Sequence, residues 1–570
     1  MKKLTFYVMF MLLGHFAIGQ NPVAIPDTLS GTAFNLHLQT GTKSFYPNTT
    51  THTYGANGDI LGPTLFLNKG DNVTLNVQND LPEVTTIHWH GMHISAQNDG
   101  GPHTVIDTGH TWSPHFTVLD HAATYWYHPH LHHHTAEHVT KGIAGFIIVR
   151  DADEALLTLP RAYGVDDFPL VIQSRAFDVH QEFIVETAYD TVVLVNATKD
   201  PYLDAPAQVV RLRLLNGSTE RVYNLGFQSN LTFHQIATDG GLLDAPVGLT
   251  RLRLAPGERA EILVDLSTLQ GQTINLMSFG SELSSGIYGA ANPSAMPMGS
   301  IAGYSNNPLN GSNFNVLQLN VIAPTTNAVM TIPSALVTNT PYSSSTSNIT
   351  RSLTFSPAQM GATGMVNGPF EINNSSFDMN VINYNIPLNN TEIWSLNNQT
   401  GIAHPFHIHD VQFFILDING VAPPTNMQGR KDVVLVPAQQ TVRFITKFED
   451  FADSTVSYMY HCHMLSHEDD GMMGQFLVLD AATNTNNLLL EDEILIYPNP
   501  MINQFQISLK NEDNLIEKIQ ITDVLGRIIY NENEVNTAIQ MVNTQRWSSG
   551  IYHVFIKTKD GVYTKKIIRQ

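Results

Sequence analysis

The sequence has only one cysteine, Cys462, among its 570 residues, so no disulfide can form within the chain. Basic side chains are also few: 29 Lys and Arg oppose 50 Asp and Glu, and the formal net charge is −21. Such a surface argues against nucleic acid and anionic membranes as partners. No segment beyond the N-terminus reaches about 18 consecutive apolar residues, so we expect no transmembrane segment.

The first 19 residues have the pattern of an export signal. The basic residues of MKK precede a mostly apolar run from Leu4 to Ile18, and Ala17-Ile18-Gly19 is a small-x-small cleavage site. We therefore expect residues 1–19 to be a signal peptide and the mature protein to reach the periplasm. A lone thiol in an exported protein is normally paired between chains, reactive or metal-bound; the alternative is an inert buried cysteine.

The body of the chain has the patterns of short β-strands. Segments such as Val73–Val77 and Val209–Leu215 are rich in β-branched residues, and clusters of Asn, Gly, Pro and Asp separate them. No long amphipathic helix stands out. These patterns predict an all-β protein made of β-sandwiches, with three units at residues 21–150, 156–323 and 349–480.

The sequence pattern changes after residue 480. Residues 481–493 are predicted to be a linker, and residues 494–570 a small all-β module without metal-ligand clusters. The module opens with YPNP (Tyr497–Pro500), continues with SSGIYHVFI (Ser548–Ile556) and ends with KKIIR (Lys565–Arg569). It resembles the C-terminal sorting domain of type IX secretion substrates. That resemblance implies handling by the type IX machinery, transfer to the cell surface or medium and removal of the module; the alternative is a retained adhesive or spacer domain.

Histidine is abundant and occurs in pairs. Side chains at positions i and i+2 of a strand share one face, so each His-x-His pair points both rings the same way. Two pairs lie in the first unit and two in the third: His88 and His90, His128 and His130, His407 and His409, and His461 and His463. If the two units face one another, eight imidazoles converge, enough for three metal ions.

Cys462 has the opposite parity, because it lies between His461 and His463 and so points to the other face of the strand. His404 lies an odd number of residues before His407 and is likewise free to face away from that pair. His467 and Met472 follow in the next loop. Two His, one Cys and a weak axial Met form the ligand set of a blue copper centre.

Each fragment alone has an ordinary alternative. A single His-x-His pair is often a hydrogen-bonded or surface pair, and a Met pair is usually core. The run His132–His134 with His138 is interpreted as a solvated loop, although it could also gather copper. The joint occurrence of four pairs, one of them at the only cysteine, favours metal sites.

The four motifs carry a family resemblance: HWHG (His88–Gly91), HPH (His128–His130), HPFHIH (His404–His409) and HCHMLSHEDDGMM (His461–Met473). Together they make the body similar to three-domain multicopper oxidases, above all bacterial cuprous oxidases, spore-coat laccases and bilirubin oxidases. The resemblance implies three cupredoxin-like Greek-key β-sandwich domains. One departure is Asp410, where many relatives have glycine.

The resemblance also implies four copper ions and a ligand set for each. The type 1 copper would be held by His404, Cys462, His467 and axial Met472. The type 2 copper would be held by His88 and His407. One type 3 copper would be held by His90, His128 and His463, and the other by His130, His409 and His461.

The activity implied by the resemblance is the oxidation of a donor at the type 1 site, with dioxygen reduced to water at the other three coppers. Dioxygen and an electron donor are therefore the expected small-molecule partners, and Cys462 carries electrons between the sites. Asp99 and Glu468 occupy positions of proton-relay carboxylates; the alternative is that they only orient histidines through hydrogen bonds.

The donor is the least determined part of the expected function. Cuprous oxidases carry a dense methionine-rich insertion, because soft thioethers bind Cu(I). Here the methionines are scattered, which favours a phenolic or aromatic donor of the laccase type over Cu(I). Three competing functions are a non-catalytic copper-binding surface protein, a scaffold that has lost its metals, and a copper nitrite reductase.

Overall fold

The computed structural model describes residues 20–185, 187–297, 299–480, 494–509, 515–523, 527–558 and 561–570. The predicted signal peptide and the predicted linker at 481–493 lie outside these residues. The chain divides into two compact units, Met1–Val478 and Leu479–Gln570. Most described residues in regular structure lie in β-strands, so the predicted all-β class is confirmed.

The first sandwich packs two sheets around one core. Their strand orders are β2-β5-β11-β10-β7 and β4-β3-β6-β8, with β9 beside β6. Its strands are β2 (Thr28–Ser30), β3 (Ala33–Lys43), β4 (Thr51–Ala56), β5 (Thr64–Asn68), β6 (Asn72–Asn79), β7 (His88–His90), β8 (Thr111–Trp112), β9 (His115–Thr117), β10 (Ala123–His128) and β11 (Gly145–Arg150). Alternation of buried and exposed residues along β3 and β6 places Leu36 and Val77 in the core.

The second sandwich consists of an eight-stranded and a six-stranded sheet with a core of its own. Strand β1 (Asn21–Pro22) pairs with this sandwich, in parallel with β16. The other strands are β12 (Asp167–Phe177), β13 (Phe183–Ile184), β14 (Val192–Val195), β15 (Thr198–Lys199), β16 (Pro201–Pro206), β17 (Val209–Asn216), β18 (Tyr223–Phe227), β19 (Phe233–Thr238), β20 (Gly241–Leu249), β21 (Leu252–Leu254), β22 (Arg259–Asp265), β23 (Thr273–Phe279) and β24 (Asn313–Ile322).

The third sandwich has sheets of order β26-β25-β28-β32-β30 and β27-β34-β33-β29-β31. Its strands are β25 (Ile349–Pro357), β26 (Phe370–Ile372), β27 (Tyr384–Pro387), β28 (Thr391–Asn398), β29 (His404–Ile408), β30 (Phe414–Ile418), β31 (Val433–Val436), β32 (Thr441–Lys447), β33 (Tyr458–Cys462) and β34 (Met473–Leu479). Strand β33 lies at the centre of its sheet, and its Cys462 is part of the core that includes Trp394 and Phe406.

Helices are short and lie between strands. They are α1 (Ala96–Asp99), α2 (Thr135–Lys141), α3 (Ala152–Ala155), α4 (Gly364–Asn367) and α5 (Leu465–Asp469), with 3-10 turns at Gly280–Glu282, Tyr304–Asn306, Ser344–Thr346 and Thr425–Met427. In the part of the chain that the structure describes, no helix is long and apolar enough to span a bilayer.

The C-terminal unit is a separate small β-structure with sheets β35-β36-β39 and β38-β37-β40-β41. Its strands are β35 (Ile494–Tyr497), β36 (Gln504–Leu509), β37 (Ile516–Asp523), β38 (Ile528–Thr537), β39 (Ile539–Asn543), β40 (Gly550–Thr558) and β41 (Gly561–Arg569). Alternating residues of β36 and β40, such as Ile507 and Val554, fill the core between its sheets.

Candidate metal centre

Strand register brings the four His-x-His pairs together two by two. In the first sandwich, antiparallel pairing of β7 with β10 sets His88 opposite His128. In the third, antiparallel pairing of β29 with β33 sets His407 opposite His461. Histidines of the two sandwiches are in contact: the ring of His90 stacks on that of His407, with ring centroids 3.8 Å apart.

All eight paired histidines are buried, and their ring nitrogens form three groups. The groups are His90 with His128 and His463, His130 with His409 and His461, and His88 with His407 and His409. Each group combines residues from the first and the third sandwich. The three groups therefore depend on how these two sandwiches pack together.

Within the groups, ring nitrogens approach one another closely. His90 Nδ1 lies 3.3 Å from His128 Nε2 and 3.2 Å from His463 Nε2. His461 Nε2 lies 3.2 Å from His130 Nε2 and 3.4 Å from His409 Nε2. Bonds of about 2 Å from a metal to imidazole place two ligand atoms of one ion about 3.3 Å apart. The observed separations match that spacing.

The protons of these rings lie on the outer nitrogens. The Nδ1 atoms of His88 and His407 donate to the backbone oxygens of Asp99 (3.0 Å) and Asp432 (2.8 Å). Since a carbonyl oxygen only accepts, the Nε2 atoms of both rings carry lone pairs, and both are buried without a hydrogen-bond partner. His128 behaves likewise, with Nδ1 2.8 Å from the oxygen of Pro129. Buried lone pairs without a hydrogen-bond donor are costly, and a cation bound between them would remove that cost.

Six of the eight rings have a lowered pKa and are held neutral, as metal ligation requires. Burial lowers the pKa of His90, His128, His130, His407 and His463 well below the ordinary value, and neighbouring histidines lower it further. Burial likewise lowers the pKa of His409 to about 4. The donor set thus fits a group of transition-metal ions with imidazole ligands.

Two buried carboxylates contact the outer nitrogens of the cluster. Asp99, the last residue of α1, lies with Oδ2 2.7 Å from His409 Nδ1 and Oδ1 3.4 Å from His88 Nδ1. Glu468, on α5, lies 3.2 Å from His130 Nδ1 and 3.0 Å from His461 Nδ1. Burial raises the pKa of both carboxyls, but the adjacent imidazoles more than offset it and hold both pKa values below their ordinary range.

A second donor group lies on the opposite face of β33. Cys462 Sγ is 3.5 Å from His404 Nδ1 and 3.6 Å from His467 Nδ1, and these two nitrogens are 3.3 Å apart. Burial raises the pKa of the Cys462 thiol well above its ordinary value and lowers the pKa of His467 to about 3. A buried cysteine sulfur between two neutral imidazoles fits a soft metal ion, which would bind the cysteine as a thiolate.

Two further residues frame this group. Met472 is fully buried in the same core, and its backbone binds both neighbours, with its oxygen accepting from Cys462 N (3.0 Å) and its nitrogen donating to His467 O (2.8 Å). Thr400 Oγ1 lies 2.9 Å from His404 Nε2, so the other ring nitrogen, Nδ1, faces the sulfur of Cys462. The contact with Thr400 orients the ring of His404, and the backbone bonds hold Met472 next to Cys462 and His467.

A cavity of about 270 Å³ opens beside His467. Its lining includes Glu220, Tyr288, Met464 and Asp470. His404 is fully buried, so His467 is the histidine of the pair that reaches this cavity.

Comparison with known proteins identifies the family. The sequence profile of multicopper oxidases matches residues 37–154 and 346–482, the parts of the chain that carry all twelve donors. The multicopper oxidase mco of Staphylococcus haemolyticus is 35% identical over 478 residues, which cover 81% of this chain and 93% of that protein. The chain belongs to the multicopper oxidase family.

Other relatives extend the comparison. A laccase-like multicopper oxidase from Ochrobactrum sp., named CueO, is 32% identical with a TM-score of 0.70 and covers 80% of this chain and 100% of its own. The cell division protein FtsP of Xenorhabdus nematophila is 30% identical, covering 81% of this chain and 94% of its own. The family makes this multicopper oxidase an oxidoreductase and implies copper as its metal.

The C-terminal unit has a match of its own. The profile of the secretion system C-terminal sorting domain covers residues 495–570. The predicted sorting domain is thereby confirmed, and it implies export through the type IX pathway.

The sequence did not point to Asp432 or Thr400. Asp432 binds Arg259 through both carboxylate oxygens at 2.6 Å and lies 3.0 Å from His90 Nε2. This contact holds the ring of His90 with Nδ1 facing the histidine cluster, whereas His128 and His463 face the cluster with Nε2. Neither residue has a motif or ligand spacing; the only signal was that Asp432 stands just before the buried strand β31.

Proposed function

We propose that this multicopper oxidase couples one-electron oxidation of an organic donor to four-electron reduction of dioxygen to water. Four coppers per chain would take part. Cys462, His404, His467 and Met472 would hold the type 1 ion. The type 2 ion would belong to His88 and His407, and the type 3 pair to His90, His128 and His463 and to His130, His409 and His461. The three nitrogen groups of the buried cluster support this division.

The observation that carries the proposal is the alternation of side chains in β33. The sulfur of Cys462 faces His404 and His467, while His461 and His463, one residue away on either side, face the histidine cluster. One stretch of backbone therefore joins both donor groups through covalent bonds. A protein that only stores copper has no need of such a connection.

Copper bound at these donors would cycle between its +1 and +2 states and so supply the one-electron steps. The chain supplies the geometry for them. His467 presents its ring to the cavity, where a donor can approach, and Cys462 lies behind it in the core. His461 and His463 continue from Cys462 to the place where dioxygen would be reduced.

Reduction of dioxygen to water also consumes four protons, and buried rings cannot take them from solvent directly. Glu468 bridges the outer nitrogens of His130 and His461, and Asp99 contacts those of His88 and His409. We propose that both carboxylates pass protons toward the cluster. Their contact with outer rather than inner nitrogens leaves the ligand atoms free.

An organic donor fits the surroundings of His467 better than Cu(I). The cavity lining contains one methionine, Met464, which is fully buried, together with Tyr288 and apolar side chains. Met360 is exposed and Met365 packs against the core of the third sandwich, and neither of them lines the cavity. Oxidation of Cu(I) remains the alternative, since Glu220 and Asp470 also line the cavity.

The sorting domain supports a location for this reaction. We propose that the signal peptide at 1–19 directs the chain to the periplasm and that residues 494–570 then direct it to the cell surface or medium. The oxidase would be residues 21–150, 156–323 and 349–480, joined to the sorting domain by residues 481–493.

Oxygen uptake by the copper-loaded full-length protein tests the function. A phenol and a Cu(I) complex would be compared as donors, with four donor molecules oxidised for each dioxygen consumed. We expect uptake with the phenol to exceed uptake with Cu(I). No uptake with either donor from a protein that is visibly blue would contradict the proposal and favour a copper-binding surface protein.

A further inference from the structure

Helix α2 and the loop before β7 bring together three potential metal ligands outside the copper-binding motifs. His134 caps the N-terminus of α2, His138 lies one turn further along, and Glu83 extends from the loop. One ligand atom from each of the three lies within 4.8 Å of the others. An i, i+4 histidine pair directs both rings to the same side of a helix.

The ring of His138 has one buried nitrogen without a hydrogen-bond partner. Its side chain is fully buried, and its Nδ1 is bonded to Thr85 Oγ1 at 3.0 Å. Its Nε2 is buried without a hydrogen-bond partner and points toward Glu83 Oε1 at 3.6 Å. That separation is too long for a hydrogen bond but close to the spacing of about 3.3 Å between two ligands of one metal ion.

Hydrogen bonds also constrain the other two candidate ligands. His134 Nδ1 lies 3.2 Å from Glu137 Oε2, so its proton is directed to that carboxylate and Nε2 is left as an acceptor. Tyr54 donates its hydroxyl to Glu83 Oε1 at 2.6 Å and thereby holds the carboxylate beside His138. His134 and Glu83 are partly exposed, so an ion can enter from solvent.

The neutral ring of His138 and the negative charge of Glu83 favour the binding of a cation by these residues. Burial lowers the pKa of His138 to about 4, which keeps the ring neutral and able to bind metal. Lys141 is the competing cation, with Nζ 3.6 Å from Glu83 Oε1 but only 2.6 Å from Glu137 Oε1. Its main partner is therefore Glu137, and Glu83 keeps negative charge for an ion.

We propose that His134, His138 and Glu83 form an additional binding site for a borderline divalent transition-metal ion, such as Zn²⁺ or Cu²⁺. Two imidazoles and a carboxylate are the ligands that these ions prefer. The ion would tie α2, which begins five residues after His130, to the loop that ends at His88. It therefore links the two segments that carry the first-sandwich ligands.

Zinc titration of the copper-loaded full-length protein tests the site. Excess copper is first removed with a chelator, and binding of Zn²⁺ is followed by calorimetry. We expect one Zn²⁺ per chain and a rise in the thermal unfolding midpoint, because an ion that binds only the folded state stabilises it. His134→Ala and Glu83→Gln should each weaken binding at least tenfold without changing oxygen uptake.

Two further variants make the test specific. His37→Ala removes an exposed histidine with an acidic neighbour, Asp80 at 3.2 Å, and should bind zinc like the native protein. Lys141→Gln removes the competing cation and should bind zinc more tightly. Absence of zinc binding, or binding that persists undiminished in His134→Ala or Glu83→Gln, would overturn the proposal.

Discussion

The two faces of β33 carry different chemistry within one strand. On one face, Cys462 lies with His404 and His467, and the outer nitrogen of His404 is bonded to the hydroxyl of Thr400. On the other face, His461 and His463 join six further histidines whose outer nitrogens contact backbone oxygens and carboxylates. The first group reaches a cavity through His467, whereas the second is enclosed on all sides.

This difference fits the two halves of the proposed reaction. Taking an electron from a donor requires access and a soft ligand, and no proton needs to be delivered there. Reducing dioxygen to water requires four protons for each dioxygen, which must be delivered to the buried site. The carboxylates Asp99 and Glu468 lie against the enclosed group, where protons would be consumed.

The largest expected effect is the loss of oxygen uptake when a histidine ligand on the cluster face of β33 is removed. His130→Ala removes one ligand of the enclosed group and should reduce oxygen uptake to background, because the cluster can no longer be assembled. The blue absorption, which depends on Cys462, should persist and serves as the control for folding. Uptake near the native rate would show that the enclosed group is not where dioxygen reacts.

Neutral substitutions of the carboxylates test the role of protons. Glu468→Gln and Asp99→Asn should slow oxygen uptake by about 10²–10⁴-fold, the usual range for general acid catalysis. The blue absorption should stay the same, and the dependence of the rate on pH should change. Normal turnover with an unchanged pH profile would leave both residues with only an orienting role.

A buried carboxylate with a different environment provides a control for these two. Glu261 binds Arg213 Nη1 at 2.7 Å and Arg211 Nε at 2.8 Å. Glu261→Gln should lower the free energy of unfolding by about 3–5 kcal/mol, because it breaks two buried ion pairs and leaves Glu154 and Asp167 to balance the two guanidinium groups. The pH profile of oxygen uptake, measured on the folded variant, should match that of the native protein.

The pH dependence of stability follows from the same group. Burial raises the pKa of Glu261, but Arg211 and Arg213 more than offset it and lower it to about 2. The carboxylate therefore contributes stability above its ordinary pKa, and this contribution is lost as pH falls toward 2. Between pH 7 and pH 3, denaturant unfolding should show a smaller loss of stability in Glu261→Gln than in the native protein.

The smallest expected effect lies on the cysteine face. Thr400→Val removes the hydroxyl at His404 Nε2, which also contacts Asn398 Oδ1 and Ile402 O, and should cost about 1–3 kcal/mol of stability because buried polar atoms lose a partner. The blue absorption should shift slightly, while the pH profile of oxygen uptake should stay unchanged. A changed pH profile would mean that protons also pass on this face.

Much of the candidate site could be predicted because a strand alternates its side chains. Parity alone separates Cys462 from His461 and His463, and spacing alone places His404 apart from His407. The division of the eight rings into three groups could not follow from parity, since it depends on how two sandwiches far apart in the chain pack together. It was expected from the family resemblance alone.

Burial explains where the sequence interpretation fell short. The sequence predicts His404 and His467 as equivalent ligands of one metal ion, yet His404 is fully buried and His467 is the one that lines the cavity. The run near His134 was interpreted as a solvated loop, yet His138 is fully buried against Thr85. In both cases the tertiary neighbours of a histidine, not its local sequence, decide its exposure.

The measurement that tests the account most directly is the copper content and oxygen uptake of Cys462→Ser beside the native protein. We expect the variant to lose one copper per chain, the blue absorption and turnover of the organic donor, while the eight histidines keep three coppers. Full turnover in this variant, or loss of all its copper, would contradict the separation of the two sites by one strand.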